Sequence, residues 1–327
     1  MTELPARYVG HDEAWREWRT ALSSERMHHA WLLTGPEGIG KGGFARKAAL
    51  ELVGKGEGRQ PEPSAHPDIL VLDHLPSNDE EARKKADGKP FQVKRNITVE
   101  QIRTMQQRLT TRATLGANRA VIIDPADDLE KAGVNALLKS LEEPPAGTHF
   151  LLVSHRPGRL LPTVRSRCRI LRFPALPDEA IDGLLREQAP DVSFDARKAA
   201  IAAAQGSPGV ALAFARQSLG KLHELMERIV RQGDRDFTLR GMLADEMGAR
   251  PSREKLLGAL DLARAALTGA LDGAGRRQQL LIIEAHGAMA RLSAEAPTYN
   301  FDPGLLVMEI GGLLASAAVP TEAVEAR

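Results

Sequence analysis

Cysteine is almost absent from this sequence. Cys168 is the single one among 327 residues, which excludes an internal disulfide and any cysteine-built zinc or iron–sulfur module and fits a reducing compartment. Aromatic residues make up only 4%, too few for a stacking platform that holds single-stranded nucleic acid. No charge excess exists either. The 44 Lys+Arg against 43 Asp+Glu leave a formal charge of +1, so no chain-wide basic field attracts DNA or a membrane surface, and any nucleic-acid contact must be local. No run of about 18 uncharged apolar residues is present, and the opening stretch MTELPARYVGHDEAWREW lacks the basic patch and apolar core of a signal peptide. A cytoplasmic location without a membrane partner is expected.

What is there reads as a folded chain. Apolar residues are 43% and charged residues 27%, outside the disordered regime. At roughly 150 residues per domain the length suggests two domains, or three if some are small. Short apolar runs at Trp31–Thr34, Asp68–Leu72, Ala120–Asp124, Phe150–Ser154 and Ile170–Phe173 alternate with helix-length segments, the rhythm of a parallel sheet with crossover helices. Ala126–Glu143 carries leucines at helical spacing and stops at Pro144-Pro145. From Asp178 onward strand signals vanish. The pattern predicts a three-layer α/β domain with a five-stranded parallel sheet over 1–174, a small helical domain over 175–219 and a larger helical domain over 220–327. In the last, Arg276–Leu292 and Phe301–Ala317 have helical apolar spacing, with the small residues of GGLLASAA suiting close packing.

Two segments read as loops or insertions. Gly54–Ala65 is rich in Gly, Pro and charge, and Ser77–Arg95 carries six basic and four acidic residues with no apolar period. The 77–95 segment is either a solvated surface loop or a basic loop that faces DNA.

The chemistry concentrates at Gly35-Pro-Glu-Gly38-Ile-Gly40-Lys41-Gly42, which follows an apolar strand and opens a helix. This is the context of a phosphate loop rather than a chance Gly-rich turn: backbone N–H groups at a helix N-terminus wrap a phosphate while the lysine reaches its outer oxygens. Gly35, Gly38, Gly40 and Lys41 are therefore candidate nucleotide-binding residues. The eighth position, however, is Gly42, where a Ser or Thr hydroxyl would ligate Mg²⁺. The second nucleotide element, Ala120-Val-Ile-Ile-Asp124, is an apolar strand ending in a carboxylate, and Asp124 joins the candidate set. Next comes Pro125, which has neither a carboxylate to polarise water nor an N–H. Asp127 and Asp128 are read as residues capping the helix that follows. One metal ligand and one base are thus missing, which speaks against hydrolysis and leaves room for weak ATP or ADP binding through Lys41.

Several segments are specific to one family. His28-His29-Ala30-Trp31-Leu-Leu-Thr34-Gly35, Ile102-Arg103 in a helical stretch before the Asp124 strand, Asn135-Ala-Leu-Leu-Lys-Ser-Leu-Glu-Glu-Pro-Pro145 and Leu160-Leu-Pro-Thr-Val-Arg-Ser166-Arg167-Cys168 closely resemble bacterial clamp-loader subunits of the AAA+ superfamily. The resemblance is dense over about residues 5–220. A degenerate phosphate loop combined with a retained Ser-Arg-Cys resembles the delta-prime branch, a component of DNA polymerase III holoenzyme, rather than the gamma/tau motor. The resemblance implies an α/β P-loop AAA+ domain, a helical lid and a helical collar, with delta and gamma/tau as partners in a five-subunit ring. That ring loads a sliding clamp onto primer–template DNA. It further implies that Arg167 is presented in trans to the ATP of a neighbouring motor, where a guanidinium stabilises charge on the γ-phosphoryl group. Arg165 and Arg169 are read as surface or structural, and Cys168 as a buried small apolar residue rather than a nucleophile.

Two departures accompany the resemblance. The lid arginine that touches nucleotide in ring ATPases is replaced within Gly206-Ser207-Pro208-Gly209, and the four-cysteine zinc module of many relatives is replaced by the 54–95 insertion. No zinc is expected, His66 and His74 having no cysteine partners. The leading expectation is a non-enzymatic subunit with little or no ATPase activity alone and no required cofactor. Its rivals are a gamma/tau-like motor and a free-standing nucleotide switch unrelated to replication.

Overall fold

The computed structural model describes residues 10–24, 26–54, 63, 65–217, 219–296 and 301–318. Most of the expected loop at Gly54–Ala65, namely residues 55–62 and 64, lies outside the described residues, as do residues 1–9 of the opening stretch. The chain divides into two compact units, Met1–Ala175 and Leu176–Arg327.

In the first unit the chain runs α1 (Asp12–Leu22), β1 (Ala30–Thr34), α2 (Lys41–Val53), β2 (Ile69–Leu72), α3 (Asp79–Ala86), α4 (Val99–Leu109), β3 (Arg119–Ile123), α5 (Lys131–Glu142), β4 (Thr148–Ser154), α6 (Pro162–Arg165) and β5 (Arg169–Arg172). The five strands form one parallel sheet in the order β2-β3-β4-β1-β5. Its inner strands are mostly apolar and buried because helices cover both faces. On one face Leu32, Val121, Ile123, Phe150 and Leu152 meet Ile102, Met105, Leu137 and Leu141 of α4 and α5. On the other, Trp31 stacks edge-on against Trp18 of α1 at 5.5 Å, and Phe44 of α2 packs on Phe173 at 5.0 Å. Trp15, Trp18, Trp31, Phe44 and Phe173 gather in this layer. Strands β2, β3 and β4 lie on one side of β1 and β5 on the other, so the strand order changes side at β1 while all strands stay parallel. A crevice at the carboxyl end of such a switch strand is where α/β sheets bind ligands.

Two segments differ from the expected pattern. The helix expected from Ala126 begins only at Lys131; Ala126–Asp128 is a separate 3₁₀ turn. Ile97 breaks the continuity: its N–H donates to Asp128 and its carbonyl accepts from Glu130, pulling Leu129 into a bridge that no helix accommodates. Conversely, part of the charged 77–95 segment is helical. The Asn78 side chain caps α3 by accepting from the Glu81 N–H, with three acidic residues in the first turn and three basic ones in the last. Capping and dipole complementarity supply a signal that an apolar period does not.

The second unit is helical: α7 (Asp178–Gln188), α8 (Phe194–Ala204), α9 (Pro208–Gln217), α10 (Gly220–Gln232), α11 (Thr238–Met247), α12 (Arg253–Gly269), α13 (Arg276–Glu295) and α14 (Pro303–Ser316). Both helical segments distinguished in the sequence lie in this unit. Helix α10 buries Leu222, Met226, Ile229 and Val230, the i, i+4, i+7 stripe of a packed helix. Asp234 is buried and accepts from the Arg240 Nε at 2.7 Å and from the Leu239 and Arg240 N–H groups, fixing the start of α11. The stem of Arg240 lies where a Cβ on Gly311 of α14 would fall. Within the small-residue stretch of α14, Gly311 therefore makes room for an arginine stem.

Candidate functional site

The segment 35–42 wraps the carboxyl end of β1 into the first turn of α2. Gly35 abuts the Phe173 carbonyl so closely that no Cβ fits there. Gly40 caps α2 at φ 102°, a conformation that favours glycine. Gly38 also has positive φ. The geometry therefore explains the three glycines read as a phosphate loop.

Lys41 opens α2 and is buried, 2% exposed. Its Nζ folds back over the loop, donating to the Gly35 carbonyl at 2.7 Å and the Pro36 carbonyl at 2.5 Å. Burial pulls its pKa down to about 8, against the opposing pull of Asp124, Glu37 and Asp127. An ammonium held by two backbone carbonyls at the start of a helix is poised to exchange those carbonyls for an anion.

Asp124 stands immediately beyond β3, next to this loop. Its Oδ2 accepts from the Arg46 Nη1 at 3.1 Å, and the same nitrogen donates to the Gly42 carbonyl at 3.0 Å. A Cβ on Gly42 would collide with that Oδ2. Arg46 was missed by sequence reasoning, although its place one turn beyond Gly42 on α2 puts it on the same face. These residues do not fit the divalent cation that a P-loop fold implies: Gly42 offers no hydroxyl, Asp124 is already paired, and Pro125 adds no carboxylate.

The aspartates after Pro125 do not cap a helix. Asp127 instead accepts from the Ser154 Oγ at 2.7 Å, the His155 N–H at 2.5 Å and the Arg156 N–H at 3.3 Å, tying the turn to the end of β4. Asp128 pairs with His74 at 3.2 Å, which raises the His74 pKa. The Glu130 N–H, at the N-cap of α5, donates to the Ile97 carbonyl, and no side chain caps this helix. His155, at the end of β4, is near enough for the charge of Lys41 to act on its ring. Burial first and that charge second lower its pKa, and its buried Nδ1 has no hydrogen-bond partner.

Arg167 lies between α6 and the edge strand β5. Its Nη1 donates to the Thr163 carbonyl at 2.9 Å, and its Nη2 meets the Glu142 Oε1 at 2.6 Å. One third of its side chain is exposed. Its neighbour Arg169 is structural: it pairs with Glu17 at 2.9 Å and lies 5.0 Å from the Trp31 ring centre. Cys168 packs partly buried against the core, where desolvation pushes its thiol up to about 12. His66 is buried and accepts from the Asp68 N–H. Among the described residues no cluster of three or more His, Cys, Asp or Glu could hold a metal ion, and no helix is long and apolar enough to cross a membrane.

Gly209 lies in the first turn of α9. The buried pair Asp68–Arg119 is structural and has no signature in the sequence. Asp68 accepts from the Thr114 and Leu115 N–H groups at 2.6 and 2.7 Å, and Arg119 donates to the Arg108, Thr111 and Arg112 carbonyls at the end of α4.

A family profile described as "DNA polymerase III, delta subunit" matches residues 10–177, slightly more than half of the chain. The DNA polymerase III subunit delta' of Pseudomonas aeruginosa is 34% identical over 207 residues, covering 58% of each chain. The delta' subunit of Escherichia coli K12 is 42% identical over 125 residues, 38% of this chain and 37% of that one. A gamma/tau subunit of Mycobacterium tuberculosis is 32% identical over 181 residues, 55% of this chain and 30% of that one. The match thus spans little more than half the length of these delta' relatives at most. Among solved structures, a DNA polymerase III gamma subunit-related protein from Thermotoga maritima superposes with a TM-score of 0.50 at 18% identity, covering 93% of this chain and 99% of that one, a likeness of fold. With the family profile covering more than half of its length, the chain belongs to the DNA polymerase III delta-prime family of clamp-loader subunits.

Proposed function

We propose that this chain is the non-hydrolysing member of a clamp-loading assembly, contributing Arg167 to the ATP site of a neighbouring gamma/tau subunit. The observation that carries this reading is the placement of Arg167: a partly exposed guanidinium at the sheet edge, held by Glu142 rather than buried in the core. A guanidinium delivered across a subunit contact stabilises charge on the γ-phosphoryl oxygens and makes turnover depend on assembly. The chain's own P-loop supports the non-hydrolysing half of the proposal, since Asp124 is committed to Arg46 and Pro125 supplies no base. Delta and gamma/tau are the partners this role requires, in the cytoplasm, with the sliding clamp and primer–template DNA reached through them.

The test is steady-state ATP hydrolysis, stimulated by clamp and primed DNA, for the isolated chain, the reconstituted assembly and an assembly carrying Arg167→Ala. A silent isolated chain and an assembly that loses turnover with Arg167→Ala support the proposal. Turnover by the isolated chain that Lys41→Ala abolishes would make it a motor instead.

A further inference from the structure

Around the phosphate loop the cation position is filled by protein. In a P-loop a divalent ion sits between a first-turn hydroxyl and a carboxylate at the end of the neighbouring strand. Here the first-turn residue is Gly42, and the Arg46 Nη1 spans the same interval, 3.0 Å from the Gly42 carbonyl and 3.1 Å from the Asp124 Oδ2. The glycine and the arginine are linked. The Asp124 carboxylate occupies space that a Ser or Thr side chain at position 42 would need, so restoring the hydroxyl alone collides with it.

The charges follow from this pairing. Arg46 and Asp124 cancel, leaving the buried Lys41 ammonium facing the loop, with the unpartnered Nδ1 of His155 close by. An anion entering the loop meets Lys41 at the start of α2, with the Asp124 charge neutralised by Arg46 and the charges of Glu37 and Asp127 set against the ammonium. A divalent ion arriving with the anion would meet Lys41 and Arg46, with no hydroxyl at position 42 and with the Asp124 Oδ2 already held by Arg46. Metal loading therefore removes negative charge from the ligand without gaining the first-turn hydroxyl or the Asp124 Oδ2 as ligands.

We infer that Arg46 stands in for the divalent cation, so that this loop takes a nucleotide polyphosphate in its metal-free form. The inference rests on residues 35–42 acting as a phosphate loop, and is independent of Arg167.

The experiment is calorimetric titration of the full chain with ADP, once in excess magnesium and once in EDTA, repeated on Lys41→Ala, Arg46→Ala and the double variant Gly42→Ser/Arg46→Ala. The expected result is that ADP binds the unaltered chain at least as tightly in EDTA as in magnesium, that Lys41→Ala abolishes binding, and that the double variant gains about tenfold in affinity on adding magnesium. Tighter binding of ADP by the unaltered chain in magnesium, by about tenfold, overturns the role of Arg46 and leaves the phosphate loop standing. Absence of ADP binding in both media overturns both. Because the two titrations of the unaltered chain decide the matter alone, a misfolded variant does not rescue the inference.

Discussion

Glu142 and Arg167 meet at 2.6 Å, the first acidic residue of Leu-Glu-Glu-Pro-Pro holding the arginine of Ser-Arg-Cys. The two most specific sequence motifs are therefore one structural device, with α5 ending where it orients Arg167 in the turn between α6 and β5. Both side chains are substantially exposed, 33% and 49%, so the pair contributes to position more than to stability. Glu142→Gln is expected to change unfolding free energy by less than about 1 kcal/mol in urea titrations. Arg167→Lys, which keeps the charge but loses the planar fork, is expected not to restore the turnover lost in Arg167→Ala.

Asp68 and Arg119 form a buried network in which removing one partner strands the other. Asp68→Ala is expected to cost about 3–5 kcal/mol, far more than any surface pair in the molecule. Burial by itself would raise the Asp68 pKa, but the Thr114 and Leu115 amides and the Arg119 charge more than offset it, and the net shift is downward. The folded state thus holds this proton less tightly than the unfolded one. The stability it contributes is present above the ordinary aspartate range and is lost as pH falls below it toward the folded value. Acid unfolding of the unaltered chain compared with Asp68→Asn measures this: the variant should show a flatter acid limb.

Gly35→Ala places a methyl group against the Phe173 carbonyl, backbone that does not swing aside. A loss of about 1–3 kcal/mol is expected from such overpacking. Gly158→Ala, where nothing lies within 4 Å, should change the melting temperature little, and a pair of thermal melts distinguishes the two.

Lys41 carries its charge only below about pH 8 when free, and an anion bound against it raises that value. Binding then takes up a proton above pH 8. Affinity for ADP in EDTA should stay level from pH 6 toward 8 and fall by up to about tenfold per pH unit beyond it, whereas an ordinary lysine would hold its level to about pH 10. Asp124, Glu37 and Asp127 face the same ammonium and keep its charge from being lost at lower pH.

The Cys168 thiol, pushed up to about 12 and partly buried, is expected to resist alkylation by iodoacetamide at pH 8 in the native chain and to react on unfolding in urea. Fast labelling of the folded chain would contradict the placement of this side chain.

Local pattern was enough for the sheet and for the glycines of the 35–42 turn. The apolar runs at 31–34 and 120–124 are periodic over a few residues, and a glycine at a positive-φ helix cap or against a carbonyl is a requirement set within its own loop. The same reasoning stops where two side chains approach across the fold. Arg46 and Asp124 are 78 residues apart, and nothing in either segment announces that one guanidinium will span the cation position. Ile97 cutting the α5 helix short, Gly311 admitting the stem of Arg240, and Asp68 meeting Arg119 are likewise pairings that exist only after the layers close. Hydrophobic period and turn chemistry are properties of neighbouring residues. Which buried charge neutralises which is decided by desolvation, and only the packed tertiary structure sets the distances at which that penalty is met.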